Sequence, residues 1–151
     1  MKLFLSILIL LLVSLGFSYS QSPSTLDTAL ARKLGADEYG QKVYYMGFLK
    51  TGPAQTTDTT FKKKTFEGHM ENIVQLANEG KIIVAGPFLD KTDLEGFFIY
   101  NVHTKKEAQE LADTDPAVKA GFLTIELHPY YGSAVLQLVP EWHKKVQAKS
   151  F

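Results

Sequence analysis

Cysteine is absent from the 151 residues. The chain can therefore form no disulfide, hold no thiolate-bound metal and run no thiol catalysis. Lipid modification of the bacterial lipoprotein type is excluded as well, because the modified residue is a cysteine. Excess charge is also missing: 16 Lys and Arg stand against 16 Asp and Glu, and setting Lys2 aside leaves 15 against 16. Nucleic acid and anionic membrane are poor partners for such a surface. No glycine-rich phosphate loop, Gly-x-Ser-x-Gly elbow or His-Glu-x-x-His pair occurs, and no two histidines share a metal-binding spacing, so no zinc or iron site is expected. The fold must be held by its core alone.

The one long apolar run is Leu3 to Phe17, after the basic start Met1 and Lys2 and before the small residues Ser18 and Ser20. This pattern predicts a signal peptide over 1–20, too short and weakly flanked for a transmembrane anchor. Cleavage after Ser20 would export a chain of 131 residues beginning at Gln21, enough for one domain with a real core.

Residues 21–41 are rich in Ser, Thr, Asp and Gly and read as a leader, with a weak helix around Leu26–Leu34. A regular pattern then begins. Val43–Leu49 reads as a strand closed by Thr51, Gly52 and Pro53. A helix is predicted from about Asp58, its N-cap, to Asn78, with Gly80 as the stop. Lys81–Gly86 is a second strand and Gly96–Val102 a third. Thr104 and Glu107 form a capping box for another helix. Asp115 before Pro116 opens a short helical turn that Gly121 ends. Phe122–Leu127 is the fourth strand, and Ser133–Val139 is a candidate fifth. The order β-α-β-β-α-β predicts an α+β, ferredoxin-like plait over 42–132, followed by an extension over 133–151.

Two helices cover only one face of such a sheet, so its other face should alternate with polar residues. Here Val43–Met46, Ile82–Ala85 and Phe97–Tyr100 are apolar on both sides. An exposed face of that size exceeds what a soluble monomer usually carries. A second copy stacked sheet to sheet, as a homodimer, is the expected cover; the alternative is that the leader or tail folds over it.

On the long helix Phe66, Met70, Ile73, Val74, Leu76 and Ala77 gather into one apolar arc, and His69 falls inside it. A histidine there must satisfy its ring nitrogens. It is either a core histidine bonded to a backbone carbonyl or the general acid–base group of a pocket. Gly68 beside it costs about 1 kcal/mol relative to Ala within a helix, which makes sense if a ligand or strand approaches closely. Asp115 is the natural partner: its capping role accounts for it locally, and a fixed carboxylate can hold an imidazole in one tautomer. Asp90 is a second candidate acid, though forming the turn is the readier account of it. Tyr45 and Tyr100 are candidate pocket-lining residues, and Lys62–Lys64 reads as a solvated helix face.

"GHMENIVQLANEGKIIVAGPFLD", the glycine before the third strand and "TDPAVKAGFLTIELHPYYG", in this order of elements, resemble the YciI-related (YCII) domain family of the dimeric α/β-barrel superfamily. The resemblance covers about Val43 to Gly132. It implies a symmetric homodimer and a site on a His–Asp pair, here His69 and Asp115. It adds Gly86 and Pro87 of the Ala-Gly-Pro turn, with Asp90 beyond, as ligand-binding positions. Relatives that act on small ring compounds do so by proton transfer and elimination, with no metal or organic cofactor. The expected function is a cofactor-independent lyase or isomerase acting on a small cyclic or aromatic molecule. A non-catalytic small-molecule-binding module and a monooxygenase-like member of the superfamily remain alternatives. The leader and tail depart from the compact family pattern, and the substrate does not follow from the resemblance.

Overall fold

The computed structural model describes residues 26–149. The expected signal peptide and the first residues of the leader lie outside that range. The elements are α1 (Thr28–Leu34), β1 (Gln41–Thr51), α2 (Thr59–Asn78), β2 (Ile82–Pro87), β3 (Leu94–Tyr100), α3 (Lys105–Ala112), α4 (Pro116–Lys119), β4 (Leu123–Ser133), a 3₁₀ turn (Ala134–Leu138) and α5 (Val139–Val146). Local chemistry sets most of the boundaries. Asp27, Asp58, Thr104 and Asp115 each cap the helix that follows, and Thr104 and Glu107 complete a reciprocal capping box. Gly80 and Gly121, just past α2 and α4, have φ of 70° and 73°, values that L side chains rarely adopt.

The four strands form one antiparallel sheet in the order β2-β3-β1-β4, the α+β plait expected. β4 is longer than its sequence signal, running through His128 and Pro129 to Ser133 and matching β1 residue for residue from Gln41↔Ser133 to Thr51↔Leu123. As an edge strand it accommodates a proline, whose missing N–H can face away from the ladder. The sheet thus runs from Gln41, the first residue of β1, to Ser133, the last of β4.

The helix-side core gathers Leu49, Leu76, Ile82, Phe98, Tyr100, Leu123 and Leu127. The buried face of α2 is turned from the expected arc. Thr65, His69 and Leu76 are buried, whereas Met70 and Val74 are 39 % and 38 % exposed. His69 therefore lies at the centre of the packed face.

No fifth strand follows β4. Residues 134–138 wind into the 3₁₀ turn, and Leu136 packs onto the other sheet face against Tyr44, Ile83 and Ile99. Tyr44 is fully buried, and its hydroxyl donates to the carbonyls of Ser133 and Ala134 at 3.1 and 3.2 Å. Gln137 Nε2 donates to Leu34 O at 2.6 Å, and the Tyr131 hydroxyl bonds Asp37. The leader and tail are thus tied together beside the sheet, and the tail gives part of the second face intramolecular cover. Met46, Phe48 and Phe97, on the same face, stay half-buried. No helix among the described residues is long and apolar enough to cross a membrane.

Candidate functional site

Three adjacent contacts fasten α2 to the turn that opens α4. Gly68 lets the Pro116 ring approach: a Cβ built on it would lie 3.2 Å from Pro116 Cγ. The close neighbour in the chain is therefore a proline rather than a strand. His69 Nδ1 lies 2.6 Å from Asp115 Oδ2. Asn72 Nδ2 donates to Thr114 Oγ1 at 2.9 Å. Residues 68, 69 and 72 share one side of the helix because three- and four-residue steps return to the same face.

Among the described residues, the buried polar side chains are Thr65, His69 and Asp115. Thr65 is satisfied within its own helix, donating to Phe61 O at 2.9 Å. His69 and Asp115 satisfy each other. Asp115 is only 2 % exposed, and both of its oxygens are engaged, Oδ1 by the Ala117 N–H at 2.8 Å and Oδ2 by the imidazole. Its capping role and its contact with histidine are therefore compatible, and the cap fixes the carboxylate that holds the ring.

An ionised carboxylate can only accept, so the proton on a neutral His69 sits on Nδ1 and the lone pair on Nε2. Among the described residues no hydrogen bond engages Nε2. Among the described residues no fully buried side-chain nitrogen or oxygen lacks a partner, so Nε2 reaches solvent although the residue as a whole is 8 % exposed. Phe66 stands edge-on to the ring at 6.0 Å, and Phe98 of β3 lies at 6.2 Å. Phe66 also shares an open stretch of the α2 surface with Met70 and Val74.

Tyr100 is 1 % exposed and packs edge-on against Phe98 at 5.8 Å. Burial, and then the negative charges of Asp115 and Asp113, hold its phenol well above the ordinary tyrosine range. It is a neutral wall of the site at any ordinary pH. Gly86, Pro87 and Asp90 are the other candidate ligand-binding positions. Gly86 and Pro87 are the last residues of β2, opposite Phe97 and Gly96, and Asp90 is exposed in the loop beyond. No hydrogen bond, ion pair or ring contact among the described residues joins these three to His69 or Asp115. No group of three His, Cys, Asp or Glu side chains that could hold a metal occurs among the described residues.

The clamp of Asn72 and Thr114 and the ring wall of Phe66 and Phe98 were not singled out from the sequence. Asn72 follows His69 by three and Thr114 precedes Asp115 by one. That spacing becomes informative only once the histidine and aspartate are taken as a contact.

The family described as YCII-related domain matches residues 43–127. No curated protein matches. Among solved structures, the chain is similar to the 5-chloro-2-hydroxyhydroquinone dehydrochlorinase of Burkholderia phenoliruptrix AC1100 in complex with 2,5-dihydroxybenzoquinone. The identity is 21 %, the alignment covers 58 % of this chain and 92 % of that one, and the TM-score is 0.45.

Proposed function

The chain belongs to the YCII-related domain family, and on that premise we propose that it is an acid–base enzyme of lyase or isomerase type acting on a small cyclic or aromatic molecule through His69 and Asp115. The observation that carries the reading is the division of labour between the two ring nitrogens. Nδ1 is held by a carboxylate that is itself fixed as a helix cap, whereas Nε2 has no hydrogen-bond partner among the described residues and reaches solvent.

In that arrangement Nε2 accepts a proton from a substrate carbon or oxygen placed before it. Asp115 stabilises the imidazolium that forms, and Nε2–H returns the proton to the product or leaving group. General acid–base help of this kind contributes roughly 10²- to 10⁴-fold. The aromatic walls, Phe66 and Phe98, suit a flat, ring-shaped ligand. The substrate class rests on the family resemblance and these walls.

The test uses the full chain and a panel of small lactones, cyclic enones and hydroxyquinones in deuterated water, with NMR reading solvent exchange and product formation. His69→Gln should lower any turnover by at least about 100-fold while ligand binding persists. Turnover that survives the substitution refutes the proposal. Binding without exchange or turnover by the unaltered chain identifies a binding module instead.

The same reading extends to assembly and location. The half-buried Met46, Phe48 and Phe97 would be covered by a second copy, and a monomer mass in light scattering counts against that. Export would leave Gln21 as the first residue of the mature chain, which N-terminal sequencing reads directly.

A further inference from the structure

A cavity of about 410 Å³, whose lining does not include His69, opens where the C-terminal helix meets the edge of the sheet. Small-molecule sites typically occupy roughly 300–1,000 Å³. Its walls are Ile73 and Ala77 of α2, Ile82 and Val84 of β2, and Val139 and Pro140 of α5. Because Ile82 belongs to the helix-side core and Val84 packs with the opposite one, the crevice wraps around edge strand β2. Its third wall comes from residues beyond the family-matched segment, which ends at 127.

The orientation of α5 is the informative feature. Val139 and His143, and Pro140, Lys144 and Gln147, follow one another at three- and four-residue steps and line the crevice together. A helix packed merely for stability would turn its largest apolar side chains inward. Here Trp142 and Val146 lie outside that arc and are 59 % and 81 % exposed, while a lysine and a histidine face the apolar crevice. Lys145, on another side of the helix, is already occupied: its Nζ bonds Glu141 at 3.2 Å and lies 4.0 Å over the Trp142 ring. Among the described residues, the side chains of Lys144 and His143 enter no ion pair or hydrogen bond.

We propose that this crevice binds a small amphiphilic carboxylate, its apolar body against Ile82 and Val84 and its anionic head at Lys144 and His143. An apolar floor with a cation at the mouth complements that class: the body leaves water, while the carboxylate keeps a charge-assisted partner at the rim. An uncharged molecule of equal length leaves the cation without its counterpart. A short dianion finds no apolar shelf to lie on.

The test is isothermal titration of the full chain with decanoate below its micellar range, with decanol as the uncharged probe of the same length. Trp142, the one tryptophan of the chain, gives a fluorescence readout on the same helix. Saturable one-to-one binding of decanoate is expected, at least tenfold tighter than that of decanol. Lys144→Glu should weaken decanoate at least tenfold and leave decanol unchanged, whereas Lys145→Glu should leave both unchanged. Ala77→Phe, which narrows the crevice, should remove binding; a parallel thermal melt separates blocking from unfolding. Absence of saturable binding, equal affinity for the two probes, or equal sensitivity to the two lysine substitutions would each overturn the proposal. His69→Gln should leave this binding untouched.

Discussion

Pro116 lies so close to Gly68 that an added Cβ would stand 3.2 Å from its Cγ. The two residues bring α2 and α4 together next to the paired His69 and Asp115 side chains, so the spacing of the pair depends on a methyl group that is missing.

Gly68→Ala tests that dependence. In an exposed helix interior the change would stabilise by about 1 kcal/mol. Here the rigid pyrrolidine ring at the first position of α4 resists displacement. Overpacking typically costs about 1–3 kcal/mol, so a net loss of about 1 kcal/mol is expected in urea denaturation. A gain in stability would show that the ring gives way freely.

Replacement of Asp115 separates its two tasks. Asp115→Ala removes both the acceptor for the Ala117 N–H and the partner of His69. A lost cap costs about 1 kcal/mol, and a buried polar group left unpaired about 1–3 kcal/mol, so a total near 3 kcal/mol is expected. Asp115→Asn keeps a capping oxygen and should lose clearly less. Nitrogen-detected NMR of the imidazole should find the neutral ring protonated on Nδ1 in the unaltered chain, and lose that preference in Asp115→Ala.

Stability should fall at both ends of the pH scale for identifiable reasons. Asp37 is held below its ordinary value by the Tyr131 hydroxyl and then by backbone N–H groups, chiefly that of Gln41, and Glu126 by Lys50 and then His128. A depressed folded-state value means that stability is present above the ordinary carboxylate range and lost as pH falls through it. Asp37→Asn should therefore flatten the acid side of a plot of melting temperature against pH. Tyr100 has the opposite sign. Its raised value means that stability is complete below the ordinary tyrosine range, near 10.0, and lost as pH climbs beyond it. Tyr100→Phe should flatten the alkaline side, and an unchanged slope would remove Tyr100 from that account.

Removing 134–151 should uncover Tyr44, Ile83 and Ile99, the residues that Leu136 and its neighbours shelter. A lower melting temperature and a rise in binding of an apolar dye are expected. Leu136→Ala alone should cost about 2–3 kcal/mol or less, since the side chain is only partly buried. A truncated chain as stable as the full one would show that the tail adds nothing to the core.

The elements that were legible in the sequence are those set by chemistry within a few residues. The capping box at Thr104 and Glu107, the Asp115 and Pro116 start of α4 and the glycines after α2 and α4 all declared themselves, and they yield the order of the plait. The His69 and Asp115 pair was legible because a histidine stood on an apolar helix face, Asp115 was a carboxylate fixed as a cap, and a family pattern joined them. What was not legible depends on partners far along the chain. β4 continues through Pro129 because β1 offers it eleven registered positions, which no local signal announces. The buried arc of α2 is rotated because the sheet and α4 meet it at Thr65, His69 and Leu76, leaving Met70 and Val74 at the margin. Residues 134–138 look like a strand, yet they wind up because their place is over the sheet and not beside it.

The first and last strands of the plait are neighbours, and Gln41 stands directly opposite Ser133. A pull applied at these two points would therefore open the sheet like a zipper, rupturing its rungs one after another instead of shearing them together. The same closeness means that a short peptide joining the two positions, with new ends cut into the exposed loop around Lys91, should yield a circularly permuted protein that still folds.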